Sequence, residues 1–262
     1  VTTLSDTSTW LPLEGLAPGF DAYKAPAVDD LDGRTFTIDD DGDTGAPART
    51  ARFSGSDVEW DGATAACETF LADDDLYYVQ FHAAADPREA VSLFLDVRDG
   101  RTLVVTTRIN DSGTPRVTQE FRPGTISGAA VRGAAIAPST TLIGRRAMWV
   151  YSEDHAYEHV YLSPHWYTWQ CLAGPERGLA DTDENSVYQV RPGIYVFTWR
   201  EKVIPCAAVT IADHRDARAL RSHGALFGLD ESGEHPTHFT FGAHGRLLST
   251  TVHPDALDPA SP

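Results

Sequence analysis

A short signature followed by an aromatic strand occurs twice in this chain, in the same order and at nearly the same spacing. Leu31-Asp-Gly-Arg34 returns as Leu142-Ile-Gly-Arg145, and the run LYYVQFH from Leu76 returns as IYVFTWR from Ile194. Two anchors repeated in order point to tandem duplication, so the fold adopted by one half constrains the other. The sequence therefore divides into an irregular, proline-punctuated arm (1–30), a first repeat (31–135) and a second repeat (136–262). Trp10, Leu11, Leu13 and Phe20 are the arm residues apolar enough to pin it to the body.

Within each repeat the pattern is strand after strand. GRTFTI, ARTARFSG, DVEW, ACETFLA, LYYVQFH, AVSLFLDV and RTLVVTTRI follow one another in the first; CAAVTIAD, SHGALFG, THFTFGA and GRLLSTTV end the second. Aromatic and β-branched residues at period two, with Asp/Gly/Pro clusters between runs, read as short strands of an antiparallel meander. Residues 111–140 read as a linker around one further strand, RVTQEF, and DHRDARALRSH is the best helical segment if it is not a polar loop. Many short antiparallel strands taken twice predict an all-β protein of two tandem lipocalin-like (calycin) barrels. Closure removes exposed sheet edges, and about eight strands leave room for one small ligand. A pair of sandwiches is the competing architecture.

Composition narrows the partners. A formal charge of −17, from 38 Asp and Glu against 21 Lys and Arg, repels nucleic acid and anionic membrane, so neither is an expected partner. No run of apolar residues is long enough to span a bilayer, and VTTLSDTSTWLP has neither the basic start nor the apolar core of a secretion signal. Three cysteines without metal-ligand spacing fit reduced thiols in a cytoplasm, the expected location. A homodimer is compatible with the sequence.

The chemistry concentrates between Arg146 and Glu201. In the strand ending this stretch Tyr195, Phe197, Trp199 and Glu201 share one face, because side chains alternate across a strand. A carboxylate closing an aromatic stripe is costly to bury unless protonated, paired or hydrogen-bonded. Glu201 is thus the leading candidate acid, the competing reading being a rim residue paired with Arg200 or Lys202. His159 lies between Tyr157 and Tyr161 on one strand face and is a candidate acid/base partner, since histidine titrates near neutrality. Tyr151, Tyr161, Tyr167, Trp169 and Trp199 are placed to line an aromatic cavity, unless they are ordinary core. His235, His238 and His244 lack a partnering acid at zinc-site spacing, and the acidic runs 39–43 and 181–184 lack the calcium-loop pattern, so no metal is expected and both runs read as solvated turns. No phosphate-binding loop, dinucleotide fingerprint or nucleophile elbow is present, and no cofactor is expected.

Two resemblances bear on these residues. HVYLSPHWYTWQCLAGPERGLADTD followed by YVFTWREKVIP resembles the C-terminal half of the MoaF family (molybdenum-cofactor biosynthesis protein F), and LDGRTFTI with LYYVQF resembles its N-terminal half. The likeness spans roughly residues 10 to 250 and is stronger in the second repeat. More distantly, the second repeat resembles the phenolic acid decarboxylases, cofactor-free lipocalin-like lyases. Their tyrosine pair falls at Trp149-Val-Tyr151, their next strand at Tyr157 to Tyr161, their catalytic glutamate at Glu201 in Trp199-Arg-Glu201, and a later His-Gly strand at His223. Trp149 replaces the first tyrosine, and Gly178 stands at their arginine with Arg177 one step away. These likenesses imply Glu201 as proton donor, with Tyr151, Tyr161 and His159 orienting a polar group. They imply a substrate surface of Trp149, Tyr157, Tyr167, Trp169, Arg177, Tyr195, Phe197, Trp199 and His223. The expected reaction is lyase, isomerase or cyclase chemistry on a small apolar or aromatic molecule. The competing class is a ligand-binding or accessory protein of molybdenum-cofactor metabolism. Aligning the repeats puts Ala83 opposite Glu201, which makes the second barrel the expected active one.

Overall fold

The computed structural model of the protein describes residues 10–42 and 47–261. Asp43, at the end of the first acidic run, lies outside the described residues. The chain forms two compact units. One comprises residues 25–110 with 118–137; the other comprises the arm up to Lys24, residues 111–117 and residues 138 onward.

In the first unit β1 (Thr35–Asp40), β2 (Arg49–Ser54), β3 (Asp57–Trp60), β4 (Ala63–Asp73), β5 (Leu76–His82), β6 (Glu89–Asp96), β7 (Arg101–Ile109) and β8 (Val117–Ile126) close into an antiparallel barrel. The segment read as a linker thus supplies the closing strand: β8 returns to β1 with Ile126 opposite Ile38. Its interior is filled by Leu31, Phe36, Phe53, Val79, Phe81, Leu93, Leu95 and Val104.

The second unit repeats the plan. After the two-residue strand β9 (Ala137–Pro138) come β10 (Arg145–Val150), β11 (Ala156–Tyr161), β12 (Trp166–Ala173), β13 (Ala180–Arg191), β14 (Ile194–Arg200), β15 (Cys206–Asp213), β16 (Leu220–Leu229) and β17 (Pro236–Thr250). Each of β10 to β17 pairs with the next, and β17 returns to β10, which closes the ring of eight. The protein is therefore all-β, with two lipocalin-like barrels in tandem. DHRDARALRSH is a turn and the start of β16, not a helix, because Asp213 and Arg215 pair locally and Leu220 onward is drawn into the ladder.

The repeated anchors occupy equivalent places. Both LDGR and LIGR form the turn leading into a barrel's first strand. In each the leucine is buried, the glycine has positive φ (70° at Gly33, 82° at Gly144), and the arginine N–H donates to the leucine carbonyl at 3.0 Å. Without a Cβ, glycine adopts that left-handed geometry at little cost. Strands β5 and β14 are each the fifth of their barrel. Each follows a hairpin with a register shift and a positive-φ residue, Asp75 or Gly193.

The arm reaches the second barrel's core. Its short helix α1 (Leu13–Leu16) and Phe20 bury Leu13, Leu16 and the Phe20 ring in the aromatic cluster, with Trp10 and Leu11 packed against it. Gly19, at φ 90°, lets the backbone run against His155, where a Cβ would come within 2.7 Å of the imidazole. Among the described residues no helix is long and apolar enough to cross a membrane.

Candidate functional site

Alternation along four neighbouring strands aims one set of side chains into the second barrel: Tyr157, His159 and Tyr161 from β11; Tyr167 and Trp169 from β12; Asp183 and Asn185 from β13; Phe197 and Trp199 from β14. Glu201 continues the β14 face one step past the strand, its backbone N–H held by the Cys206 carbonyl at 3.0 Å. Of these, Tyr157, His159, Tyr167, Trp169, Trp199 and Glu201 line a cleft with about 400 Å³ of empty space, mouth included, completed by Leu16 and Phe20 of the arm, Tyr151, Glu176 and Leu226. A deeper space of about 220 Å³ shares Tyr151, His159 and Trp199 with it and is floored by Trp149, Tyr161, Phe197 and Thr210.

The polar core of the cleft is a pair of carboxyls. Glu201 is 8% exposed and Asp183 not at all. The Trp199 indole N–H donates to Glu201 Oε1 at 2.8 Å, and the Trp169 indole N–H donates to Asp183 Oδ2 at 2.9 Å. The Lys202 backbone N–H reaches Asp183 Oδ1 at 3.3 Å. Burial pushes the Glu201 carboxyl well above the usual range, and the adjacent Asp183 charge pushes it further. Burial also raises Asp183, against the stabilisation it draws from neighbouring Glu201 and from the Trp169 indole, while Glu201 Oε2 has no hydrogen-bond partner among the described residues. Two carboxylates side by side in an apolar barrel repel, so one proton is retained between them. Asp183 keeps the charge, because it accepts from both an indole and a backbone N–H and feels the Lys202 ammonium, whereas Glu201 accepts from one indole alone and carries the proton. A third carboxyl, Glu176, stands at the mouth, 5% exposed, and accepts a hydrogen bond from the Tyr157 hydroxyl at 2.9 Å. Burial raises it too, while Tyr157 and the Leu11 backbone N–H lower it.

His159 sits among rings, with Tyr167 at 5.2 Å and Trp199 at 5.7 Å between centroids. Its Nδ1 has no hydrogen-bond partner among the described residues. Burial, aided by His214, drives its pKa down to about 3. It therefore works as a neutral imidazole, not as the near-neutral acid/base that an ordinary histidine would be. Burial likewise raises the hydroxyls of Tyr151, Tyr161 and Tyr167, which remain protonated hydrogen-bonding groups.

The cleft and the deeper space bring together most of the residues expected from sequence: Tyr151, Tyr157, His159, Tyr161, Tyr167, Trp169, Trp199, Glu201, Trp149 and Phe197. Three stand apart. Tyr195 packs below the floor against His214, 5.7 Å between centroids. Arg177 is exposed on a turn, where its neighbour Glu176 points inward instead. His223 lies on the outer face of β16, opposite in direction to the inward Ser222, and covered by the Tyr23–Lys24 backbone that also crosses Gly242.

Sequence reasoning missed Asp183, Glu176, Leu16 and Phe20 as parts of the site. The run 181–184 reads as a solvated turn, yet it lies in the first half of β13, along which Asp183, Asn185 and Val187 are all inward. Its signal is the continuous alternation into VYQV, hidden by acidic composition. Among the described residues no three His, Cys, Asp or Glu side chains are placed to share a metal ion.

The first barrel supplies an internal comparison through the strand register. Trp169 pairs with His159 and Asp181 as Trp60 pairs with Ala51 and Ala63, and Trp199 pairs with Asn185 as Phe81 pairs with Cys67. Followed along the strands, this register places Ala51, Ala65 and Ala83 where the second barrel has His159, Asp183 and Glu201. All three polar groups are alanine in the sister barrel, and Trp60 packs on Phe81 at 5.7 Å.

Comparison with known proteins matches both repeats. The MoaF N-terminal domain family matches residues 8–111, and the MoaF C-terminal domain family matches residues 136–251. Protein MoaF of Klebsiella aerogenes is 40% identical over 113 residues, which is 43% of this chain and 42% of that relative, so the match spans less than half of the relative's length. Among solved structures, a protein of unknown function from the DUF3598 family of Nostoc punctiforme is 10% identical, covering 81% of this chain and 93% of its own, at a TM-score of 0.31, too low to carry an argument. With both repeats accounted for by the two MoaF domains, the chain belongs to the MoaF family.

Proposed function

We propose that the second barrel performs cofactor-free acid/base chemistry on a small, largely apolar or aromatic molecule, with Glu201 as proton donor. The observation that carries this reading is the Asp183–Glu201 pair, tied to two indoles inside an aromatic cleft and replaced by alanine in the sister barrel. Glu201 holds a proton at neutral pH because burial and Asp183 disfavour its charged form, which is what a general acid requires. Tyr151 and Tyr167 donate hydrogen bonds, neutral His159 accepts one, and the rings exclude water.

The pair also selects among reactions. Once Glu201 gives up its proton, two carboxylates face each other in a dry cleft, so the proton is strongly drawn back. Chemistry that returns a proton from another atom of the substrate suits this site, which favours isomerisation or cyclisation over net protonation. A carboxylate substrate meets no cation here, since Arg177 lies outside the cleft, so decarboxylation of a phenolic acid is the less suited of the lyase options. The competing reading is a carrier or accessory protein that holds a ligand unchanged, in keeping with the family name.

The test is to screen small aromatic enols and enamines in heavy water by NMR with wild type and Glu201→Gln. Wild type should introduce deuterium into a bound compound, and the variant should bind it with similar affinity while slowing exchange by about 10² to 10⁴. A ligand processed equally fast by both forms removes Glu201 as the acid. A ligand retained unchanged by wild type favours the carrier.

A further inference from the structure

We infer that the second-barrel cleft takes an organic monocation, a protonated amine on a small aromatic or apolar body. The inference rests on reading this cleft as the functional site and adds the charge of the molecule that enters it. Glu176 and Glu201 line the same apolar space, Asp183 accepts a hydrogen bond from the lining Trp169, and each is less than a tenth exposed. Among the described residues no lysine or arginine lines it. The nearby cations are engaged elsewhere: Lys202 holds Asp181 and the Thr182 carbonyl, and Arg200 holds Glu184.

The Asp183 charge is balanced only through the Lys202 ammonium, which is itself bonded to Asp181, and an entering cation supplies a counter-charge inside the cleft. With one proton shared by Asp183 and Glu201, a monocation brings that pair to neutrality without further proton uptake. The walls suit the same ligand. Trp169, Trp199, Tyr157 and Phe20 line the cleft, and aromatic rings attract a cation through their quadrupoles. An independent observation points the same way. His159 is 5% exposed, lines both parts of the cleft, is neutral, and has an unpartnered Nδ1 able to accept an N–H. An anion, by contrast, meets three carboxyls and no donor of positive charge.

The experiment uses benzylamine, benzyl alcohol and benzoate, which share a ring and differ in charge, with binding read from tryptophan fluorescence of the full chain. Wild type should bind benzylamine about tenfold or more tightly than benzyl alcohol, and benzoate more weakly than either. Glu201→Gln should keep that preference, because Asp183 still carries its charge. Asp183→Asn combined with Glu201→Gln should lower it severalfold, and Glu176→Gln, a milder change at the mouth, should reduce it if the double variant fails to fold. Equal or tighter binding of the alcohol or of benzoate overturns the inference. So does a preference for the amine that survives both sets of variants undiminished, or failure of all three compounds to bind within their solubility. The two readings fail separately: unchanged turnover in Glu201→Gln removes the acid and leaves the charge preference standing, whereas a neutral ligand turned over by wild type but not by Glu201→Gln removes only the charge preference.

Discussion

Replacing Glu201 by glutamine should stabilise the folded protein, and more so as the pH rises. Glu201 is 8% exposed, and burial followed by the Asp183 charge raises its pKa well above the ordinary range. In the unfolded chain a glutamate loses its proton near a pH of about 4.3. Above that pH the folded state keeps a proton that the unfolded state has released. Stability linked to this group is therefore fully present below the unfolded pKa and is lost as pH rises through the folded one. The loss is about 1.4 kcal/mol per pH unit for as long as the pair keeps its proton. Glutamine has no such proton. Its carbonyl oxygen can accept from the Trp199 indole as Glu201 Oε1 does, and its amide N–H places a donor beside the Asp183 charge. As pH rises from about 5, the variant should gain on wild type, by at most about 1.4 kcal/mol per pH unit. Urea unfolding of both proteins at several pH values measures the gap, and contributions from histidines common to both cancel in the difference. Parallel curves, or a gap that widens toward acid, would refute the claim that Glu201 is held protonated.

His159→Gln should show the opposite pH dependence. The folded pKa of His159 is depressed to about 3, so its contribution is present above about 6.5 and lost on acidification toward about 3, at roughly 1.4 kcal/mol per pH unit. A wild-type-to-variant gap that stays constant on acid titration would count against a neutral buried imidazole. Gly19→Ala should loosen the arm, because the new Cβ meets His155 at a backbone φ of 90°, a strain of about 1–3 kcal/mol. Hydrogen exchange at Leu13 to Phe20 should accelerate, and unchanged protection there would show that the arm is not held through this contact.

How much of this is legible in the sequence depends on what each residue's neighbours are. The repeat, the strands and the inward set Tyr157, His159, Tyr161, Trp199 and Glu201 follow from alternation within single segments, which sequence displays directly. Asp183 is not legible because its partner strands come from elsewhere in the chain: Trp169 lies on β12 and Glu201 follows β14, and only their register brings the carboxyls together. Phe20 and Leu16 are legible as apolar anchors but not as cavity wall, since nothing local says which barrel an irregular arm will cover. His223 and Arg177 are misplaced by sequence for complementary reasons. A one-residue step along a strand reverses a side chain, which puts His223 outside, and a one-residue step in the 174–178 turn puts Glu176 inside in place of Arg177.

The sister barrel separates what the fold needs from what the second barrel adds. Ala51, Ala65 and Ala83 occupy the register positions of His159, Asp183 and Glu201, and the first barrel still closes with eight strands around an apolar interior. Barrel closure therefore does not require a buried imidazole or a carboxyl pair. In the second barrel these groups oppose stability: the acids cost more as pH rises above about 4.3 and the histidine more as it falls below about 6.5, so their combined cost is smallest in the window between. Removing them one at a time while the indoles remain should widen that window from either side. The side chains that narrow it are the ones lining the cleft, so the cost falls where a ligand can be held and a proton moved, and nowhere that the strands need support.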